Sequence, residues 1–333
     1  MDDTASTHPG PKIGIALGSG VARGWAHLGV IRALERYGFK PDVVVGCSIG
    51  ALVGGSYLAG HADILEEWAR SLTKVRMVSY LDFRVGGGGL IGGRGLVEAM
   101  EEHLGELKIE DLGTPFAAVA TDLVTGHEVW LRRGKLVEEI RTSFSLPGVF
   151  EPVRVNGRWL IDGALVNPVP VSVCQAMGAH LTIAVNVNAD LLGKERRAGA
   201  DIPTIAGFDL LSEIESGAAK PASEGLTGWT KRMFRRNSTS PSMLGVMVSA
   251  LNIVQDRITR SRLAGEPPDV HITPRLGHVG LMEFHRADEA IAEGEAAVER
   301  ALPDLRTALA VFGRDLGDGN GGNGNGGNGD NGA

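Results

Sequence analysis

Ser48 stands in Gly46-Cys47-Ser48-Ile49-Gly50, directly after the β-branched run Asp42-Val43-Val44-Val45 and directly before a helix-like stretch, residues 51–60. A serine with glycine two residues away on each side, between a strand and a helix, suits a nucleophile. The turn has to be sharp enough to expose the hydroxyl, and small neighbours let it close and let a substrate approach. The N-terminus of the following helix adds positive potential where an oxyanion would develop. The plainer reading of the same residues is a glycine-lined turn with a capping serine.

A second turn, Gly18-Ser19-Gly20-Val21-Ala22-Arg23-Gly24, follows the apolar run 13–17. A dinucleotide fingerprint would need glycine at its sixth position and an acidic residue near the end of the second strand. Here the sixth position is Arg23, and the second strand ends in the serine motif, so that reading is poor. The alternative is an oxyanion hole formed by Gly18, Ser19, Gly20, Val21, Ala22 and Arg23, with the Gly20 and Val21 amides as donors and Arg23 as anchor. Adjacent parallel strands would bring this turn beside Ser48.

Two sources of a base compete. His271, His278 and His285 satisfy the order serine, acid, histidine of an α/β-hydrolase. In that fold, however, the nucleophile follows several strands, and Ser48 follows the second. The other source is Asp162 in Asp162-Gly163-Ala164, after Arg158-Trp159-Leu160-Ile161. A buried carboxylate at a strand end could reach the serine hydroxyl directly, although an Asp-Gly pair is more often a plain turn.

These residues need a frame. Strand, turn and helix recur twice before residue 60, the pattern of a parallel α/β sheet covered on both faces. Further helices are expected over 61–73, 95–104, 135–144, 171–177 and 243–263. A last one is expected over 286–312, broken near Pro303. Strands are expected over 115–121 and 127–132, joined as a hairpin, then over 153–162, 181–187 and 270–273. The predicted organisation is an N-terminal arm (1–11), a catalytic core (12–190), a flexible insertion (191–242), a helical completion of the same domain (243–316) and a disordered Gly/Asn tail (317–333).

Composition limits the function. The 333 residues carry 33 Lys and Arg against 40 Asp and Glu, a net charge of −7, which argues against nucleic acid as a partner. Two cysteines, Cys47 and Cys174, make a disulfide framework implausible and suit a reducing, cytoplasmic location. The polar, acidic start lacks a secretory pattern, and the most apolar window, 169–187, is too interrupted to span a membrane.

Taken together, GSGVARGWAHLGV (18–30), GCSIG (46–50), TSFSLPGVFEP (142–152) and DGA (162–164) resemble the patatin-like phospholipase family, in the branch of the small bacterial RssA-type proteins and the catalytic domain of neuropathy target esterase. The likeness spans residues 12–190. RSRLAGEPPDV (260–270) and FHRADEAIAEGEAAVER (284–300) are similar to the bacterial members. The family often has glycines where this chain has Ser19 and Val21. The resemblance implies a three-layer α/β/α sandwich with a mostly parallel central sheet. It also implies hydrolysis of fatty acyl esters of lipids through an acyl-enzyme, with Ser48 as nucleophile and Asp162 as base and no histidine. Gly46, Cys47, Ile49, Gly50, Gly163 and Ala164 complete the motifs. No cofactor and no metal are implied, and the partner is a lipid or fatty acyl ester substrate. A non-catalytic regulator or scaffold that kept the fold is the alternative.

Other residues have plainer roles. His27 reads as a structural histidine with a secondary role in fixing the 18–24 turn. Pro147 shapes the wall of the site or is a generic loop proline, while Cys47 and Cys174 read as core. The glycine-rich stretch 86–95 reads as a lid or loop, less readily as a phosphate cradle. Residues 229–236 (WTKRMFRR) could lie on the inner face of a membrane or be a solvated loop.

Overall fold

A computed structural model describes residues 11–73, 89–91, 94–190 and 243–312. The proposed insertion 191–242 with its basic segment 229–236, the tail, and most of the arm and of the 86–95 stretch lie outside the described residues.

The frame is an eight-stranded sheet. Its parallel part is β1 (Ile13–Leu17), β2 (Val43–Cys47), β4 (Phe116–Asp122), β9 (Leu181–Val185) and β10 (Val270–Ile272), in the order β10-β9-β1-β2-β4. These strands read as unbroken apolar runs because both faces are covered. Along β1, Ile13, Ile15 and Leu17 enter the larger core cluster and Ala16 the smaller one. The larger core is closed by α1 (Ala26–Arg36), α2 (Ile49–Leu58), α3 (Ala62–Ser71), α5 (Leu136–Ser143) and α8 (Ala287–Ala310). The other face is closed by α6 (Val171–Ala176) and by Leu263 of α7 (Met243–Gly265). The result is the three-layer α/β/α sandwich.

The antiparallel part decides where the site lies. β5 (Glu128–Leu131) pairs with Ala118 to Thr121 of β4. A residue has one partner on each edge, so β2, which pairs with Val119, and β8 (Arg158–Asp162), which pairs with Ala120, must both use the opposite edge. β2 runs up this edge and β8 runs down it. Their ends meet where Cys47 faces Val119 and Asp162 faces Ala120.

Three expectations are corrected. Residues 153–162 are not one strand but a hairpin, β7 (Val153–Val155) and β8, turned by Asn156 and Gly157 at φ 48° and 83°. An Asn-Gly pair with both φ positive is the preferred tight hairpin turn. Within the 86–95 stretch, Gly89–Ile91 forms β3, which pairs with β6 (Gly148–Phe150), and α4 (Arg94–Leu104) begins at Arg94. Finally, α8 runs unbroken through Pro303. Ala297, Val298, Ala301, Leu305 and Leu309 bury one stripe on both sides of the proline, and that packing offsets the roughly 3 kcal/mol a mid-helix proline costs. Among the described residues no helix is long and apolar enough to cross a membrane.

Candidate active site

Ser48 adopts φ 56° and ψ −122°, a sparsely populated region for a residue with a Cβ. Close packing on both sides holds it there. A Cβ on Gly46 would lie 2.4 Å from the Ala51 backbone, and one on Gly50 would lie 2.2 Å from the Leu17 carbonyl oxygen. The flanking glycines are therefore demanded by contact. The Ser48 amide donates to Ser143 Oγ at 2.9 Å, and that hydroxyl donates to the Val119 carbonyl at 2.6 Å. Ser143, the last residue of α5, thus ties the serine turn to β4.

The Ser48 hydroxyl donates to Asp162 Oδ2 at 2.7 Å. Asp162 Oδ1 accepts the Ala164 amide at 2.8 Å. The aspartate backbone is fixed as well, its amide donating to the Ser145 carbonyl at 3.0 Å and its carbonyl accepting Thr121 Oγ1 at 2.8 Å. Gly163 lets this end of β8 lie against β4, since a Cβ would sit 2.3 Å from the Val119 carbonyl oxygen. Burial pushes the Asp162 carboxyl up to about 7, against the pull of the bonds from Ala164 and Ser48. A carboxyl so poised can accept a proton from a hydroxyl near neutral pH.

The turn after β1 arrives beside Ser48 because β1 and β2 are parallel neighbours, Leu17 facing Gly46. Its amides are mostly occupied. Gly18 donates to Val185, Ser19 to Pro168, Ala22 to Leu281 and Arg23 to Gly20, at 3.0, 2.8, 3.1 and 3.2 Å. The amides of Gly20 and Val21 have no partner among the described residues. The buried Arg23 clamps the turn, Nε donating to the Val279 carbonyl and Nη1 to Asn188 Oδ1, each at 2.8 Å. Asn188 Nδ2 in turn donates to the Ser19 carbonyl at 3.0 Å. Burial lowers the Arg23 pKa to about 10, opposed by Asp190 and Glu283, so it stays charged at neutral pH. His27 holds the turn from below. Burial lowers its pKa to about 4, so the ring is neutral, and Nε2 donates to the Gly18 carbonyl at 2.7 Å. The structural and the turn-fixing roles of His27 are one role.

A cavity of about 780 Å³, open solvent at its mouth included, adjoins Ser48. Its walls come from Val21 and Trp25 after β1, from Ile49 and Leu52 of α2, from Trp68 of α3, and from Phe144, Leu146, Val149 and Phe150 between α5 and β7. Phe284 closes it, stacked edge-on against Trp25 at 6.1 Å. Among the lining side chains Ser48 carries the one hydroxyl, and none carries a charge. Leu146 and Val149, which flank Pro147 and Gly148, line the cavity, whereas Pro147 does not.

The structure thus brings together Ser48, Asp162, Gly163, Ala164 and the 18–24 turn. None of the three candidate histidines lines the cavity. His271 is on β10 at the sheet edge, His278 pairs with Glu289, and His285 lies in the turn Phe284–Arg286. Cys47 is fully buried, and burial with the nearby Asp162 pushes its thiol pKa up, which makes it a poor nucleophile. Cys174 is likewise buried in the core. Ser143, Asn188, Val279 and Leu281 were not singled out by the sequence. Ser143 falls inside the 142–152 block, but nothing in that block separates it from Ser145. Among the described residues no cluster of His, Cys, Asp and Glu is placed to hold a metal.

Residues 15–174 match the family profile described as patatin-like phospholipase. An NTE family protein of Mycobacterium tuberculosis is 33% identical over 329 residues, covering 88% of this chain and 91% of its own. The lysophospholipase NTE1 of Pyricularia oryzae is 29% identical over 291 residues, which are 86% of this chain and 18% of that protein. Patatin-like phospholipase domain-containing protein 6 of Mus musculus is 32% identical over 187 residues, 54% of this chain and 14% of that one. The chain therefore corresponds to a small part of those two longer relatives. Among solved structures, VipD from Legionella pneumophila covers 92% of this chain and 81% of its own at 13% identity, with a TM-score of 0.38. On the family profile and the near full-length match to the mycobacterial protein, this chain belongs to the patatin-like phospholipase family.

Proposed function

We propose that the protein is a serine lipid acyl hydrolase that cleaves fatty acyl esters with a Ser48–Asp162 pair. One observation carries the reading: the Ser48 hydroxyl is bonded to a buried carboxylate at 2.7 Å and lines an otherwise apolar cavity. Such a cavity takes an acyl chain, and the serine waits at the ester end. The names of the relatives, phospholipase and lysophospholipase, support the same substrate class.

Ionised Asp162 accepts the Ser48 proton while Oγ attacks the ester carbonyl carbon. The carbonyl π pair moves to oxygen, and the Gly20 and Val21 amides hold that oxyanion. The intermediate collapses, the ester C–O bond breaks, and the alcohol leaves with the proton from Asp162. Water then attacks the acyl-enzyme, again giving its proton to Asp162. Collapse of the second intermediate returns the proton to Ser48 Oγ and releases the fatty acid. The Ser48 amide, spent on Ser143, is not available as an oxyanion donor.

A fluorophosphonate probe tests the nucleophile. Wild-type protein should be labelled, and Ser48→Ala should not. Absence of label on folded wild type would favour the non-catalytic scaffold. Retention of ester hydrolysis in Asp162→Asn together with its loss in His285→Ala would favour a histidine-based esterase.

A further inference from the structure

The strand that ends in buried Asp162 begins at an exposed end of the molecule. Asp122 ends β4 and turns the chain back into β5. Water-facing turns are normally built from Gly, Pro, Asn, Asp or Ser, yet this tip carries Leu123 and Val124, 50% and 82% exposed. The tip is held rigidly. Asp122 Oδ1 accepts the Val124 and Thr125 amides at 2.9 and 3.0 Å, and the Asp122 carbonyl accepts the Gly126 amide at 2.8 Å.

The neighbouring hairpin completes the patch. The Leu123 amide donates to the Trp159 carbonyl at 2.8 Å. The Trp159 side chain, 46% exposed, has the Arg154 guanidinium 5.8 Å from its ring centroid. Arg158, its side chain 65% exposed, touches Asp122 at 3.8 Å. On a chain of net charge −7, two exposed aliphatic side chains stand at one rigid end, with Trp159 and Arg154 on one face of the adjoining hairpin and Arg158 on the other. Isolated exposed hydrophobic residues need no explanation, but a preordered apolar tip flanked by arginines matches the acyl boundary and phosphates of a lipid surface. An indole settles at headgroup depth. Trp159 is three residues before Asp162 on β8, so the patch stands roughly 10 Å along that strand from the Ser48 pair.

We propose that this end of the molecule rests on an anionic phospholipid bilayer. Leu123 and Val124 enter the acyl boundary, Trp159 lies at the headgroups, and Arg154 and Arg158 meet lipid phosphates. The placement rests on the lipid-hydrolase reading for its purpose, because it brings acyl esters to the end of the sheet that carries Ser48.

The test is cosedimentation of the full chain with vesicles of equal phosphatidylglycerol and phosphatidylcholine, and with phosphatidylcholine alone. Wild type should bind the anionic vesicles more tightly. Leu123→Ser/Val124→Ser should lose at least about tenfold in binding to both. Arg154→Gln/Arg158→Gln should lose roughly fivefold per arginine on the anionic vesicles and little on the neutral ones. Both variants should keep the wild-type thermal midpoint and wild-type hydrolysis of a water-soluble short-chain ester. Wild-type binding by both folded variants would overturn the proposal, as would failure of wild type to bind. A chain lacking residues 225–240 that alone loses binding would move the contact to that segment and also overturn it. Concentration-dependent dimers abolished by the Ser variant would assign the tip to a second copy instead. If wild type binds vesicles yet hydrolyses no ester, the catalytic reading fails and the docking surface stands.

Discussion

The parallel and antiparallel halves of the sheet meet on one edge of β4, and they are built differently. In the parallel half every residue of β1, β2 and β9 is buried. Ser48 and the amide turn leave its ends as a rigid cap whose conformation is set by neighbours on all sides. In the antiparallel half β7 is at best half-buried, and β8 passes from exposed Arg158 and Trp159 to buried Leu160, Ile161 and Asp162 within five residues. One half holds the hydroxyl in a strained, over-determined turn. The other delivers the carboxylate on an arm whose far end is in water. The Ser48–Asp162 pair is therefore placed by a seam between two hydrogen-bond registers, and a shift of either by one residue would turn Ser48 or Asp162 to the wrong face.

Asp162→Asn breaks the seam chemically and leaves its shape. Hydrolysis should fall about 10²–10⁴-fold. In the wild type, kcat/KM should rise with pH through an apparent pKa near the Asp162 value of about 7; a flat profile across that range would remove Asp162 as the base. The stability effect has the opposite sense. The folded-state pKa is raised from 3.8 to about 7, so between those values the folded protein keeps a proton that the unfolded chain releases. Stability then declines as pH rises through that window. The Asn variant should escape the decline and be more stable at pH 8, by on the order of 2–4 kcal/mol, as read by urea unfolding at pH 5 and pH 8.

Leu160→Ala tests the buried end of the arm. Leu160 is 1% exposed in the main core, and the change should cost about 3 kcal/mol. Chemical denaturation gives the value, and a cost below 1 kcal/mol would mean that the arm is not anchored as described. Ser143→Ala removes the pin between the halves. It leaves the Ser48 amide and the Val119 carbonyl unpaired in the core, for about 2 kcal/mol. Because the serine turn would relax, kcat should drop about tenfold with little change in KM. Trp159→Ala, one residue from Leu160 but half in water, should alter stability by no more than about 0.5 kcal/mol. Equal effects at 159 and 160 would erase the contrast along β8.

Much of this was legible in the sequence because the chemistry constrains local residue types. Gly46, Gly50 and Gly163 mark places where backbone touches backbone, and Ser48 stands out inside such a turn, whereas Asp162 competes with three histidines until the family resemblance favours it. Arg23 as an anchor and Gly20 and Val21 as free amides were also readable from the turn alone. What secures that turn was not. Asn188, Val279 and Leu281 lie more than 160 residues away in the chain, and nothing local marks them as its partners. The cavity walls were equally hidden, since Phe144, Leu146 and Phe150 follow the same apolar pattern whether they line a void or fill a core. The unbroken helix through Pro303 shows the same limit, a local signal overruled by packing that the local sequence does not display.

The bond from the Ala22 amide to the Leu281 carbonyl, with the Arg23 clamp on Val279, has a consequence during biosynthesis. A ribosome adding ~5–20 residues per second needs roughly 13–50 s to travel from the turn to these acceptors. Through that interval the nascent chain carries its serine without a secured amide cradle. A stretch translated late acts as the latch, so a chain truncated before residue 279 should emerge with Ser48 in place and the 18–24 turn unsecured.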